Sequence, residues 1–204
     1  MTDGGILETI RGRRSVRKFR PEPVPLDVLR RIVEAGTWAP SAGNRQSWEF
    51  TVVTSGGVKA EMAAIVRQCW QAVLDGAEAR IVAEEIQDYS RNFDWFAAAP
   101  ALIVVSAKRP EAFLTQLLDA AAPDVAGTKT SAAMAAENLM LAAHALGLGA
   151  CCLTGPLAAQ DELRKRLGLG SRQALVCVVA LGYPAEQPAA PARKPLSDVM
   201  RLIA

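Results

Sequence analysis

The run Ala101-Leu102-Ile103-Val104-Val105-Ser106 constrains the fold of this chain more than any other stretch. It is rich in β-branched residues and carries no charge, the composition of a central strand rather than a solvated one. Such a strand needs helices to cover it, and the clearest one is predicted over residues 128–148. There Ala132, Ala133, Ala136, Leu139, Met140, Ala143 and Leu146 make a broad face of small and apolar side chains, with Gly147 and Gly149 as the stop. Other helices are predicted over residues 6–12, 26–37, 59–83, 111–121 and 161–167, and other strands over 48–54, 150–154 and 174–181. In the helix from Leu26, Asp27 suits the positive end of the dipole and Gly36 reads as the stop.

At 204 residues, half of them apolar, the chain predicts one compact domain spanning 1–204, with no internal repeat. Its longest apolar stretches, such as 97–105, are too short to span a bilayer, so no membrane partner is expected. The start Met-Thr-Asp-Gly-Gly has no basic segment leading into an apolar core, and a cytoplasmic location is the expectation. Lys and Arg total 23 against 21 for Asp and Glu, which leaves no broad field for a polyanion. Nucleic-acid binding is therefore disfavoured, since exposed aromatics are also scarce.

Cys69, Cys151, Cys152 and Cys177 do not form a metal-ligand pattern, because Cys151 and Cys152 in a strand point to opposite faces. The only histidine, His144, lies in a helix. No metal site and no His-dependent nucleophile are predicted, and the thiols are expected to be buried and free. Demanding chemistry would need a borrowed cofactor.

Two segments look suited to hold one. Arg13-Arg14-Ser15-Val16-Arg17-Lys18-Phe19 packs four cations and a hydroxyl into positions 13–18. Guanidinium is a rigid fork of donors suited to phosphate. Ala39-Pro40-Ser41-Ala42-Gly43-Asn44-Arg45-Gln46-Ser47-Trp48-Glu49-Phe50 is a Pro/Ser/Gly/Asn turn running into a strand, which can present backbone N–H groups to a flat ligand. Alone, a basic cluster reads as solvated surface and the turn as merely a turn.

In combination and order the motifs are more specific. "RRSVRxF", then "APSxxNxQxWxF", a glycine-rich helix end and a late "LGYP…RKPL" together resemble the FMN-dependent nitroreductase-like flavoproteins, over about residues 6–200. The resemblance implies an α+β (three-layer) fold: a central, mostly antiparallel sheet flanked by helices. It also implies a homodimer with an extended C-terminal arm and FMN at the subunit interface. By the same resemblance Arg13 and Arg193 grip the FMN phosphate. Ser15 and Arg17 face the ribityl chain and the N1/C2 side of the ring, where Arg17 supports the reduced flavin, and Arg14 contacts the flavin through backbone or side chain. Pro40, Ser41 and Ala42 pack at the ring edge of the flavin bound mainly by the other subunit, and Asn44 is a polar contact near it. Leu153, Thr154 and Gly155 set backbone groups against the flavin, including a donor near N5.

The activity so implied is ping-pong, two-electron reduction of nitroaromatics, quinones or similar electron-poor compounds, with NAD(P)H as donor. The deiodinase branch shares "RRSVR" and "RKPL". A flavin-fragmenting branch shares the first motif, and an ene-type reductase or a non-catalytic flavin-binding protein are further readings. Residues 86–96, with Tyr89, Phe93 and Trp95, read either as a helix end with packed rings or as an active-site cover. The tail over 184–195 holds four prolines and is predicted to be extended, ahead of the apolar Leu196, Val199, Met200 and Leu202.

Overall fold

A computed structural model describes residues 4–75, 94–109, 117, 120 and 127–203. Strands β1 (Trp48–Val53), β2 (Ala101–Lys108), β3 (Gly149–Leu153) and β4 (Gln173–Gly182) form one antiparallel sheet of order β1-β2-β4-β3. β2 lies inside it, paired on both sides, and every residue from Ala101 to Ala107 is buried. β1 has only β2 as a neighbour. A register shift between Val105 and Ser106 marks a bulge in the β2–β4 ladder.

Helices cover both faces, because alternate side chains of β2 and β4 point to opposite sides. Ile103, Val105, Val179 and Leu181 pack towards α2 (Leu26–Thr37) and α4 (Thr128–Ala145). Leu102, Val104, Val178 and Ala180 pack towards α3 (Gly56–Asp75), α5 (Gln160–Arg166) and a short turn of helix at Trp95–Ala98. Each fully buried Leu, Ile or Val contributes about 1.5–3 kcal/mol. The predicted three layers are present.

α4 buries Ala132, Ala135, Ala136, Leu139, Met140 and Ala143, whereas Ala133 faces solvent. The buried set follows the i, i+3, i+4, i+7 stripe, and Ala133 falls one position outside it. Past Ala145, Gly147 adopts φ 79° and the Leu148 N–H returns to the Ala143 carbonyl, closing the helix as predicted. Gly36 departs from expectation. α2 runs through it to Thr37, and a Cβ there would stand 2.8 Å from Leu139 Cδ2. Its role is to let α2 and α4 approach closely.

α1 (Gly4–Gly12) leads into the basic segment, which becomes an extra edge to the sheet. Ser15 bridges Ala150 in parallel, Val16 N–H donates to the Ala150 carbonyl at 3.1 Å, and Phe19 bridges Pro184. Gly149 is required at this contact, since a Cβ would sit 2.7 Å from Val16 Cβ. On the opposite face, the Lys59 ammonium of α3 is buried and donates to the carbonyls of Ala99 and Pro100, pinning the entry to β2. Burial pushes its pKa down.

The predicted helix over 59–83 is described as far as Asp75, and that over 111–121 lies outside the described residues apart from Leu117 and Ala120. Of the candidate cover, residues 86–93 also lie outside them. At its end Phe96 is fully buried and Trp95 stacks on Phe19 at 6.3 Å, so these two rings are packed. The tail is extended as far as Pro195, then forms α6 (Leu196–Val199). No helix among the described residues is long and apolar enough to cross a membrane.

Candidate functional site

The extended conformation of residues 13–17 decides which cations act together. Side chains two apart share a side, so Arg13, Ser15 and Arg17 fall on one face and Arg14 and Val16 on the other. Arg13 is partly buried and its Nε meets Glu137 Oε1 of α4 at 3.2 Å. Arg17 is exposed. Arg14 turns back: its Nη1 donates to the carbonyls of Arg11 at 2.6 Å and Arg13 at 2.7 Å, satisfying the end of α1. A cavity of about 360 Å³ opens here, with Arg13, Arg14, His144, Gly149 and Glu186 among its walls.

Glu186 fixes the same segment from the tail. Its Oε1 accepts the N–H of Arg17 at 2.6 Å and of Lys18 at 3.0 Å. These bonds, the Arg17 one foremost, hold its carboxyl below the usual carboxylate range against a smaller opposing effect of burial. Neither Glu137 nor Glu186 was among the residues expected from sequence. Glu186 sits in a proline-rich stretch that reads as a linker, and Glu137 reads as one polar residue on an apolar helix.

The second motif forms a tight turn at the start of α4. Ser41 Oγ accepts the Gln46 N–H at 3.1 Å, Gln46 Nε2 donates to Asn44 Oδ1 at 3.2 Å, and the Ala42 N–H reaches Ser131 Oγ at 3.4 Å. Asn44 (φ 52°) and Gln46 (φ 46°) both adopt the left-handed region. Non-glycine residues held there carry strain, which concentrates at functional sites. Pro40, Ala42 and Asn44 are exposed. Ser131 and Glu137 lie six residues apart on α4, a rise of about 9 Å. Within one chain, α4 is thus the spine that carries the Arg13 face and the Pro40–Asn44 turn at different heights.

At the end of β3, the Leu153 side chain is buried in the core, so only its backbone can face a ligand. Thr154 is exposed, while Gly155 is buried and its carbonyl accepts from Trp70 Nε1 at 3.1 Å. Arg193 is exposed on the extended tail, and the structure does not bring it against Arg13. No cluster of three or more potential metal ligands occurs among the described residues. Cys152 departs from the expectation of burial: it is exposed beside the Arg13–Glu137 pair, where β3 is the last strand of the sheet.

An antiparallel sheet between helical layers, edged by an RRSVR strand, defines a class. The chain belongs to the nitroreductase family, whose signature matches residues 10–183. It is 31% identical to an NADH dehydrogenase of Thermus thermophilus, over 92% of this chain and 91% of that one. An iodotyrosine deiodinase of Haliscomenobacter hydrossis is 30% identical, over 85% of this chain and 77% of its own. Among solved structures, a nitroreductase with bound FMN from Bacteroides fragilis superposes with TM-score 0.74 at 25% identity, covering 98% of both chains.

Proposed function

We propose that this protein is an FMN-dependent NAD(P)H oxidoreductase that reduces flat, electron-poor acceptors such as nitroaromatics or quinones, working as a homodimer. The observation that carries the reading is the shared face of Arg13, Ser15 and Arg17 on an extended segment clipped to β3. Two guanidinium groups around a hydroxyl suit a phosphorylated polyol. The residues present therefore fit FMN. Bound there, FMN supplies two-electron hydride chemistry at its ring N5.

This chain's residues bind, orient and polarise. Arg13 exchanges its Glu137 partner for phosphate, and Arg193 adds a second cation once the tail closes. Ser15 bonds the ribityl chain. Arg17 places a fixed positive charge against the N1/C2 edge, favouring negative charge there. Its position is set by Glu186, which holds its N–H. Thr154 and Gly155 offer backbone groups near N5, and Pro40, Ser41, Ala42 and Asn44 close the ring edge from the second subunit. A second subunit is favoured by the apolar surface that one chain leaves open. Trp38 is 81% exposed, Ile6 65% and Leu196 70%.

The test is anaerobic. Purified protein should be yellow and release FMN rather than FAD on denaturation. NADH or NADPH should bleach it, and nitroaromatics or quinones should restore the colour. FAD, or no flavin after FMN is supplied, refutes the proposal. A second reading, reductive dehalogenation, draws on the deiodinase relative. Iodotyrosine in the same panel separates the two, since only a dehalogenase reoxidises the flavin with release of iodide.

A further inference from the structure

The chemistry above leaves four thiols unused, and two of them meet. Cys152 of β3 stands opposite Val179 of β4, and Cys177 lies two residues from Val179 on the same face. Diagonal partners of this kind stand about 7–8 Å apart across a paired ladder. Each thiol is the other's main electrostatic partner, Cys177 being buried and Cys152 exposed. The other two cysteines are placed differently. Cys151 is buried on the opposite face of β3, and Cys69 donates its S–H to the Ala158 carbonyl at 3.1 Å.

We infer that Cys152 and Cys177 are a redox pair: a hydroperoxide oxidises Cys152, and Cys177 resolves the product to an intrachain disulfide. Electrostatics point the same way. Cys177 holds the Cys152 thiol below its ordinary range, against burial and the nearby Glu137 carboxylate, while Arg13 assists. The same pairing and burial push Cys177 up. Burial likewise raises Cys69 and Cys151. The thiolate is the nucleophile, so one of the four cysteines is poised to attack and its neighbour to follow.

In the first step the Cys152 sulfur attacks a peroxide oxygen, the O–O bond breaks, and the departing oxygen takes the thiol proton and leaves as water or alcohol. The second oxygen stays on Cys152 as sulfenic acid. Cys177 sulfur then attacks Cys152 sulfur, the S–O bond breaks, and the hydroxyl leaves with the Cys177 proton as water. The two thiols lose two electrons and the peroxide gains two. Diagonal partners lie beyond the usual disulfide span of about 4.4–6.8 Å between Cα atoms, so closure requires a local shift of β3 along β4.

The protein as purified, with its flavin, is treated in the dark with hydrogen peroxide, alkylated and digested with trypsin. Cleavage at Arg164 and Arg172 separates the two cysteines, so the expected product is a linked pair of peptides, lighter by two hydrogens. Fragmentation between Cys151 and Cys152 assigns the bond. The Cys177→Ser variant should instead hold a dimedone-reactive sulfenic acid at Cys152, and Cys152→Ser should give no linked product. The inference is overturned if wild-type protein stays reduced while Cys69 oxidises, if the bond joins Cys151 to Cys152, or if it joins two chains. Wild-type mapping decides the matter without either variant, and it does so whether or not the oxidoreductase reading holds.

Discussion

Arg13 already has a carboxylate partner, and that shapes what any anion must do to bind it. A phosphate arriving at Arg13 competes with Glu137, which stands 3.2 Å away in the partly exposed pair. Removing one charge-assisted phosphate contact costs about 1.5–3 kcal/mol, roughly ten- to a hundredfold in affinity. Arg13→Ala and Arg193→Ala should each weaken FMN binding to apo-protein by that factor in a fluorescence titration, and Lys18→Ala should not. Glu137→Gln should tighten it, since the competitor loses its charge. Equal losses from all three cation variants would show that general basicity is responsible. Glu186 makes a separate prediction. Its carboxyl is depressed in the folded state, so the unfolded chain binds more protons as pH falls, and the stabilisation is complete above the usual carboxylate range. It is lost as pH drops below about 4. Glu186→Gln accepts hydrogen bonds at any pH, so the gap in melting temperature between wild type and variant should close on acidification. A gap that stays constant would exclude the clamp. The cations were legible in the sequence because their type and spacing are local. Their anionic partners were not, because pairing of Arg13 with Glu137, or Arg17 with Glu186, depends on residues far along the chain.

Elements recognised by period came through well. The β-branched run of β2 is an interior strand, and the apolar stripe of α4 ends at Gly147 as expected. Glycine was the ambiguous letter. Gly36 and Gly149 read as helix stops, yet each marks a close approach between elements that no local pattern reveals. Gly182 is a third such contact: a Cβ would lie 2.5 Å from Pro100 Cδ and 3.1 Å from Phe19 Cδ1. The proline ring cannot swing aside. Overpacking of this sort costs about 1–3 kcal/mol. Gly182→Ala and Gly149→Ala should therefore lower the melting temperature by several degrees, at about 2–4 °C per kcal/mol for a chain this size. Gly5→Ala, with nothing near its Cβ, is the control and should not. If Gly149→Ala melts like wild type, the packing of Val16 against β3 is looser than the geometry gives.

The molecule as a whole presents more apolar surface than one chain can cover. Leu202 and Ile203 are 80% and 82% exposed, beyond an extended tail with nothing of its own to pack on. Light scattering at micromolar concentration should give twice the chain mass, with one FMN per subunit. Truncation after Pro184 removes Glu186 and Arg193 together, and should give colourless, aggregation-prone protein. A monomer that kept FMN would show that the site is complete within one chain. The sequence resemblance anticipated the layers, whereas the hold of Glu186 on the N–H groups of Arg17 and Lys18 lies in a proline-rich stretch that reads as a linker. The two borders of the sheet are also unalike. One is sealed by the chain's own residues 15–20, while β1 carries no described strand on its far side. An open ladder of N–H and C=O groups invites further strands. β1 tempers that invitation with the solvent-facing carboxylate of Glu49. Among the described residues, any lengthening of the sheet therefore has one direction: a fused strand or a misfolded neighbour would join at β1, leaving the cation-bearing border intact.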